Sequence, residues 1–142
     1  MSDAVLLNLQ ARIRAAAAAK SPLVIRGGGS KDFYGQTTAG EVLDTTPYAG
    51  IVDYDATELV LTARAGTRLA DIERAMRACG QMLACEPPRF GGDATLGGLV
   101  AAGLSGPRRP YAGAVRDIVL GVRMLDGKGE HLTFGGRVMK NV

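Results

Sequence analysis

The stretch Pro87 to Gly121, PPRFGGDATLGGLVAAGLSGPRRPYAGAVRDIVLG, decides the reading when it is set beside the earlier run Ile25-Arg26-Gly27-Gly28-Gly29-Ser30. Two glycine-rich loops, about sixty residues apart, each follow or precede an apolar segment. Glycine permits positive φ and lets another backbone or a ligand approach where a Cβ would collide. Clustered glycines at the end of a strand therefore aim main-chain N–H groups at an anion. Two such clusters can embrace one long, doubly charged ligand, which points to a dinucleotide cofactor.

The common phosphate motifs fail on spacing. A Rossmann fingerprint starting at Gly27 needs glycine at position 32, where Asp32 stands, and Lys31-Asp32-Phe33-Tyr34-Gly35 reads as a loop rather than an opening helix. A P-loop starting at Gly92 reaches Gly97 but then offers Gly98-Leu99 where Lys and Ser or Thr are required. A nucleotide here must lie in a different cradle.

Working outward, the 142 residues are 46% hydrophobic and 22% charged, the balance of a globular domain or two small subdomains, and disorder is excluded. Twenty glycines, concentrated in loops without a repeat, are about twice the average usage. Aromatics make up 5% with no tryptophan, which argues against a single-strand nucleic-acid binder that needs stacking platforms. The net charge of +3 comes from scattered arginines, so nucleic acid is not implied. Cys79 and Cys85 match neither C-x-x-C nor a zinc spacing and read as reduced, half-buried thiols. The N-terminus lacks a signal peptide's charged and apolar regions, and no segment approaches ~20 apolar residues, so a cytoplasmic location without a membrane span is expected. Gly136 to Val142 stops in mid-pattern, which suggests a C-terminally truncated chain.

Local patterns predict the elements. Ser2 or Asp3 can cap a helix carrying Val5, Leu6, Leu9 and Ile13 at helical spacing and ending near Lys20. Leu23-Val24-Ile25 reads as a buried strand delivering Arg26 and the glycines at its carboxyl end. Residues 41–44, 50–54 and 58–64 read as strands, and Thr67 as the N-cap of a helix that closes at Gly80, giving a βαβ-like first half over residues 1–85. In residues 86–142, the start of a second subdomain, Thr95 to Gly103 form a small-residue helix, Arg108-Arg109-Pro110 a solvated loop, and Ile118 to Leu125 a strand. Asp126-Gly127-Lys128-Gly129 then turns a hairpin into Glu130 to Phe134. The class is α+β.

These pieces, in this order, resemble the FAD-binding domain of the vanillyl-alcohol oxidase / p-cresol methylhydroxylase superfamily. The carriers are Arg26-Gly27-Gly28-Gly29-Ser30, the strand–helix unit Leu59 to Gly80, Gly92-Asp93-Ala94-Thr95-Leu96-Gly97-Gly98, and Tyr111 to Gly121 leading to Asp126-Gly127. Within the superfamily the pattern is most similar to the FAD-binding subunits of bacterial glycolate oxidases. The resemblance implies a PCMH-type fold of two α+β subdomains, the second with a mixed or antiparallel sheet and flanking helices. It implies FAD with its pyrophosphate at Arg26, Gly27, Gly28, Gly29, Ser30, Lys31 and Gly35; Gly92 belongs to the opposing loop, which also reaches the pyrophosphate. Thr95, Gly97 and Gly98 fall on the ribityl and adenosine side, and Arg116 and Asp117 support the second subdomain. The implied activity is FAD-dependent oxidation of a small 2-hydroxy acid to a 2-oxo acid, with a second flavin subunit and an iron–sulfur subunit as partners. No catalytic residue is assigned, and the isolated chain is expected to be inactive.

The first loop carries Ser30 and Lys31 where covalent members of the superfamily place a histidine, so non-covalent FAD is expected. His131 alone makes no site and reads as an exposed strand residue. Arg26 serves equally as a phosphate cation or as half of an ion pair. Gly97 and Gly98 serve equally as cradle or helix packing, and Tyr34 and Tyr111 as flavin stackers or packing residues. No Ser-His-Asp order, metal cluster or carboxylate pair is legible. Two other functions fit the pattern: a non-catalytic interaction subunit with a degenerate flavin fold, and a UDP-N-acetylenolpyruvoylglucosamine reductase-like enzyme that also needs NADPH.

Overall fold

The computed structural model describes residues 2–137, with side chains from Ala4 onward, so the capping role expected of Ser2 or Asp3 and the end of the C-terminal pattern lie outside the described residues. Helix α1, Ser2–Ala19, is carried by its alanine run and ends where Ser21 N donates to Ala16 O at 2.9 Å, with Lys20 in the left-handed conformation (φ 51°) and Pro22 beyond. It docks on an apolar face whose buried residue is Leu9, and polar side chains add to the contact. Arg12 Nη2 reaches Glu41 Oε1 at 2.5 Å and Val42 O at 2.7 Å, while Gln10 Nε2 donates to Gly129 O at 3.0 Å.

Among the described residues the strands form three separate two-stranded sheets. β1 (Leu23–Arg26) runs parallel to β2 (Glu41–Asp44); β3 (Ile51–Asp55) is antiparallel to β4 (Val60–Ala63); β5 (Gly121–Leu125) is antiparallel to β6 (His131–Gly135). Helix α2, Leu69–Ala78, follows the antiparallel β3–β4 pair, and the parallel β1–β2 crossover is a loop over residues 27–40. The helix expected inside a βαβ unit thus lies outside the crossover. After α3 (Leu96–Ala102), two short helical turns, α4 (Arg109–Ala112) and α5 (Val115–Ile118), lead into the hairpin.

One core joins the two halves. Leu69 and Ile72 of α2 pack with Cys85, Ala94, Leu99 of α3 and Val115 of α5, and Leu61, Met76, Leu83 and Ile118 close around them. The cluster draws residues from both sides of position 85.

Several local expectations are overturned by contacts distant in sequence. Thr67 does not cap α2: its buried hydroxyl turns inward, accepts from Gly50 N at 2.9 Å and lies 2.7 Å from Arg64 O. The first α2 amide, Leu69 N, instead donates to Ala94 O at 2.9 Å. Strand β1 is not buried, since Ile25 is 75% exposed in a sheet of only two strands. The run Ile118 to Leu125 is split, because Asp117 Oδ2 accepts from Ala114 N at 2.7 Å and winds residues 115–118 into α5 before β5 begins. Arg109 and Pro110 belong to the exposed turn α4, not to a loop. Tyr34 and Tyr111 are exposed, which removes them from the core, and His131 is exposed on β6 as expected.

The thiols separate where both were expected half-buried. Cys79 is exposed; Cys85 is buried, and burial pushes its thiol pKa up. Iodoacetamide at pH 8 is expected to label Cys79 within minutes and Cys85 only after denaturation, which intact-mass spectrometry would read as one adduct becoming two. Two adducts on the native protein would contradict this core.

Candidate functional site

The carboxyl end of β1 delivers Gly27 and Gly28 onto the loop that precedes α3. A Cβ on Gly28 would fall 1.6 Å from Asp93 O, and one on Gly27 would fall 2.6 Å from Thr95 Oγ1. The first glycine loop therefore lies directly on the Asp93 to Thr95 segment, where neither Gly27 nor Gly28 has room for a side chain.

A depression lies on each side of this contact. The larger, about 850 Å³, is bounded by Arg26, Gly27, Gly28, Thr95 and Asp93, by the β2 end at Asp44 and Thr46, and by Gly66 to Arg68. The smaller, about 230 Å³, runs along residues 25–32 and is closed by Thr95, Gly98, Ala101 and Ala102. Gly66 makes the larger one possible, since a Cβ there would meet Thr45 O at 2.3 Å and Thr46 O at 2.6 Å.

The amides of the first loop and of the opening turn of α3 differ in availability. Those of Gly27, Gly28, Gly29 and Ser30 donate to no described residue. At the start of α3, by contrast, Leu96 N is taken by Thr67 O at 2.9 Å, Gly97 N by Ala65 O at 2.8 Å and Gly98 N by the N-cap Thr95 Oγ1 at 3.2 Å. Gly97 is in close packing, with its Cβ position 2.9 Å from Ala65 Cβ. The first loop thus presents a row of unengaged donors, and the α3 turn spends its own on the fold.

Charges around the contact are mostly paired. Asp32 Oδ2 accepts from both Arg26 Nε at 2.8 Å and Nη2 at 2.6 Å, an exposed pair that holds the Arg26 pKa above its ordinary value. Arg26 is thereby a brace across the loop, and Gly29 at φ 72° leaves the space, its Cβ position lying 2.1 Å from Arg26 Nη2. Arg68 Nη2 stands 3.3 Å from Asp93 Oδ1. Asp44, at the cleft wall, accepts from Thr46 N and Oγ1 at 2.9 and 2.8 Å, and these bonds hold its carboxyl below the usual range.

Of the residues anticipated from sequence, the fold gathers Arg26 to Lys31, Thr95 and Gly98 around the two depressions. Gly35 and Gly92 stand in open space, and neither lines a depression, nor does Gly97. Arg116 and Asp117 lie apart on α5, where Asp117 caps the turn. Sequence reading missed Asp44, Thr46, Thr67 and Arg68, which reach the cleft through pairings that no local pattern announces. Asp93, between Gly92 and Thr95, was legible in position though not in role. Among the described residues no group of His, Cys, Asp or Glu could hold a metal, and no helix is long and apolar enough to cross a membrane.

The chain is 59% identical over 123 residues to the glycolate oxidase subunit GlcE of Escherichia coli (strain K12), an alignment covering 87% of the chain and 35% of that protein. The chain spans about a third of the length of the curated relative it matches. Two solved structures of alkyldihydroxyacetonephosphate synthase superpose with a TM-score of 0.68 at 19% and 18% identity, over 92% and 94% of this chain and 26% and 25% of theirs. They bear out the α+β fold. A family model described as an FAD binding domain matches residues 7–135, nearly everything the structure describes. The chain belongs to the FAD binding domain family, and its cofactor is FAD.

Proposed function

We propose that the chain is the FAD-holding portion of a flavin-dependent oxidoreductase of glycolate oxidase type, acting on a small 2-hydroxy acid together with further subunits. The observation that carries the site is the row of unengaged amides at Gly27 to Ser30, set against a loop contact that a Cβ would fill. Fixed N–H dipoles suit a pyrophosphate, because they need no reordering when the two charges arrive. Arg26 to Lys31 would hold the phosphates, with the Asp93 to Thr95 segment as the facing wall. FAD, when bound, supplies the hydride acceptor that a 2-hydroxy acid requires. The residues of this chain bind and orient it, and the likeness to GlcE supports the substrate class and the companion subunits.

Attachment is non-covalent in this reading, since the first loop offers Ser30 and Lys31, and His131 sits on β6. Titration with FAD is expected to quench flavin fluorescence with saturation at one equivalent, and acid precipitation to leave all the yellow colour in the supernatant. A protein that neither quenches FAD nor shifts its melting temperature with it would favour the non-catalytic subunit. Glycolate-dependent dye reduction, measured with the companion subunits present, tests the substrate class.

A further inference from the structure

Both glycine loops carry an exposed phenylalanine, and the two rings meet. Phe33, five residues beyond Gly28, and Phe90, three before Asp93, pack edge to face with centroids 5.0 Å apart and planes at 82°. They remain 69% and 53% exposed, so the contact buries little and contributes little to the core. Each ring is nevertheless held by an ion pair at the adjacent position. Asp32, beside Phe33, is gripped by Arg26, and Arg89, beside Phe90, reaches Glu73 on α2, a carboxylate only 12% exposed. Phe90 itself sits at φ 46°, a region a β-carbon disfavours and one that persists only where the surroundings impose it. On its far side Gly91 (φ 109°) and Gly92 have open space around them, a segment free to swing if nothing holds it.

We propose that Phe33 and Phe90 are positioning residues, a clasp that ties the two glycine loops together and fixes the loop contact beside which the FAD phosphates fit. The clasp acts through the loops: with the rings engaged, Gly27 to Ser30 and the Asp93 to Thr95 wall keep their spacing before any ligand arrives, so little ordering remains to be done on binding. It rests on the FAD-holding reading above and adds to it the two side chains that keep the cradle in shape.

The test combines two measurements on the full chain. Backbone NMR relaxation without ligand is expected to show that Phe33→Ala loosens the facing loop, at residues 91–93, and that Phe90→Ala loosens residues 28–30, whereas Phe33→Tyr and Phe90→Tyr, which keep the rings, behave as wild type. Fluorescence titration is expected to show FAD binding weakened about threefold to tenfold in either alanine variant, the size of an aromatic edge-to-face pair, with the double variant no weaker than the singles. Melting temperature without ligand should stay within a degree or two of wild type. Loosening confined to the substituted loop, or affinity losses that add in the double variant, would overturn the clasp while wild-type FAD binding left the functional reading standing. Absence of FAD binding by the wild type would overturn both.

Discussion

Gly28→Ala is expected to abolish measurable FAD affinity at ligand concentrations that saturate the wild type, a loss on the order of a hundredfold or more. The added methyl has nowhere to go: its nearest neighbours are Asp93 O at 1.6 Å and Asp93 C at 2.6 Å, both backbone, so the loops themselves must part. Overpacking against rigid backbone costs roughly 1–3 kcal/mol. Parting the loops also misaims the unengaged amides, each worth about 1.5–3 kcal/mol as a hydrogen bond to a charged group. Two lost bonds already exceed the ~2.7 kcal/mol that a hundredfold represents. Gly92→Ala is the control, since a Cβ there meets nothing within 4 Å and its φ is not one that excludes a side chain. It should bind FAD within about threefold of wild type by the same titration. Equal affinity in Gly28→Ala and wild type, or equal damage from both substitutions, would remove the loop contact from the binding site.

The contrast between these two glycines shows where sequence reading stops. Both loops, their order and their separation were legible, because glycine clusters announce backbone conformations that other residues avoid. So were α1, α2, α3 and the β5–β6 hairpin, each carried by local periodicity and by turn residues such as Asp126-Gly127 and Gly80. What each glycine is for was not legible. Gly28 faces Asp93, Gly97 faces Ala65, Gly66 faces the carbonyls after β2, and Gly92 faces solvent, distinctions set wholly by partners tens of residues away. Thr67 makes the same point from the polar side. Its place before an amphipathic helix has the signature of an N-cap, but the Gly50 amide and the carbonyls of Gly50 and Arg64 compete for the hydroxyl and win, while Ala94 O takes over the helix's first amide. Strand pairing was equally hidden: nothing in residues 41–44 says that they pair parallel with β1 and not with β3.

That takeover by Ala94 makes Leu69 the residue on which the structural half of the site depends. Leu69 is 1% exposed, opens α2, packs against the Cys85, Ala94, Leu99 and Val115 cluster, and its own N–H holds the segment that leads to Thr95. Leu69→Ala should cost about 2–5 kcal/mol through lost transfer energy and the cavity left behind. For a domain of this size that is a fall of roughly 10 °C in melting temperature, read by circular dichroism. Leu59→Ala removes the same atoms from a side chain that is 74% exposed and should move the midpoint by no more than about 2 °C. The two kinds of damage then separate through linkage. Leu69→Ala leaves the Gly28–Asp93 contact geometrically possible, so FAD at a hundred times its dissociation constant should return about 2.7 kcal/mol and raise the variant's midpoint much as it raises the wild type's. Gly28→Ala should melt roughly 3–9 °C below wild type without ligand and gain nothing from FAD, because its fault lies in the cradle and not in the core. A Leu69→Ala protein that melts like wild type, or a Gly28→Ala protein that FAD stabilises fully, would contradict this division between the packed cluster that places the loops and the loop contact that binds.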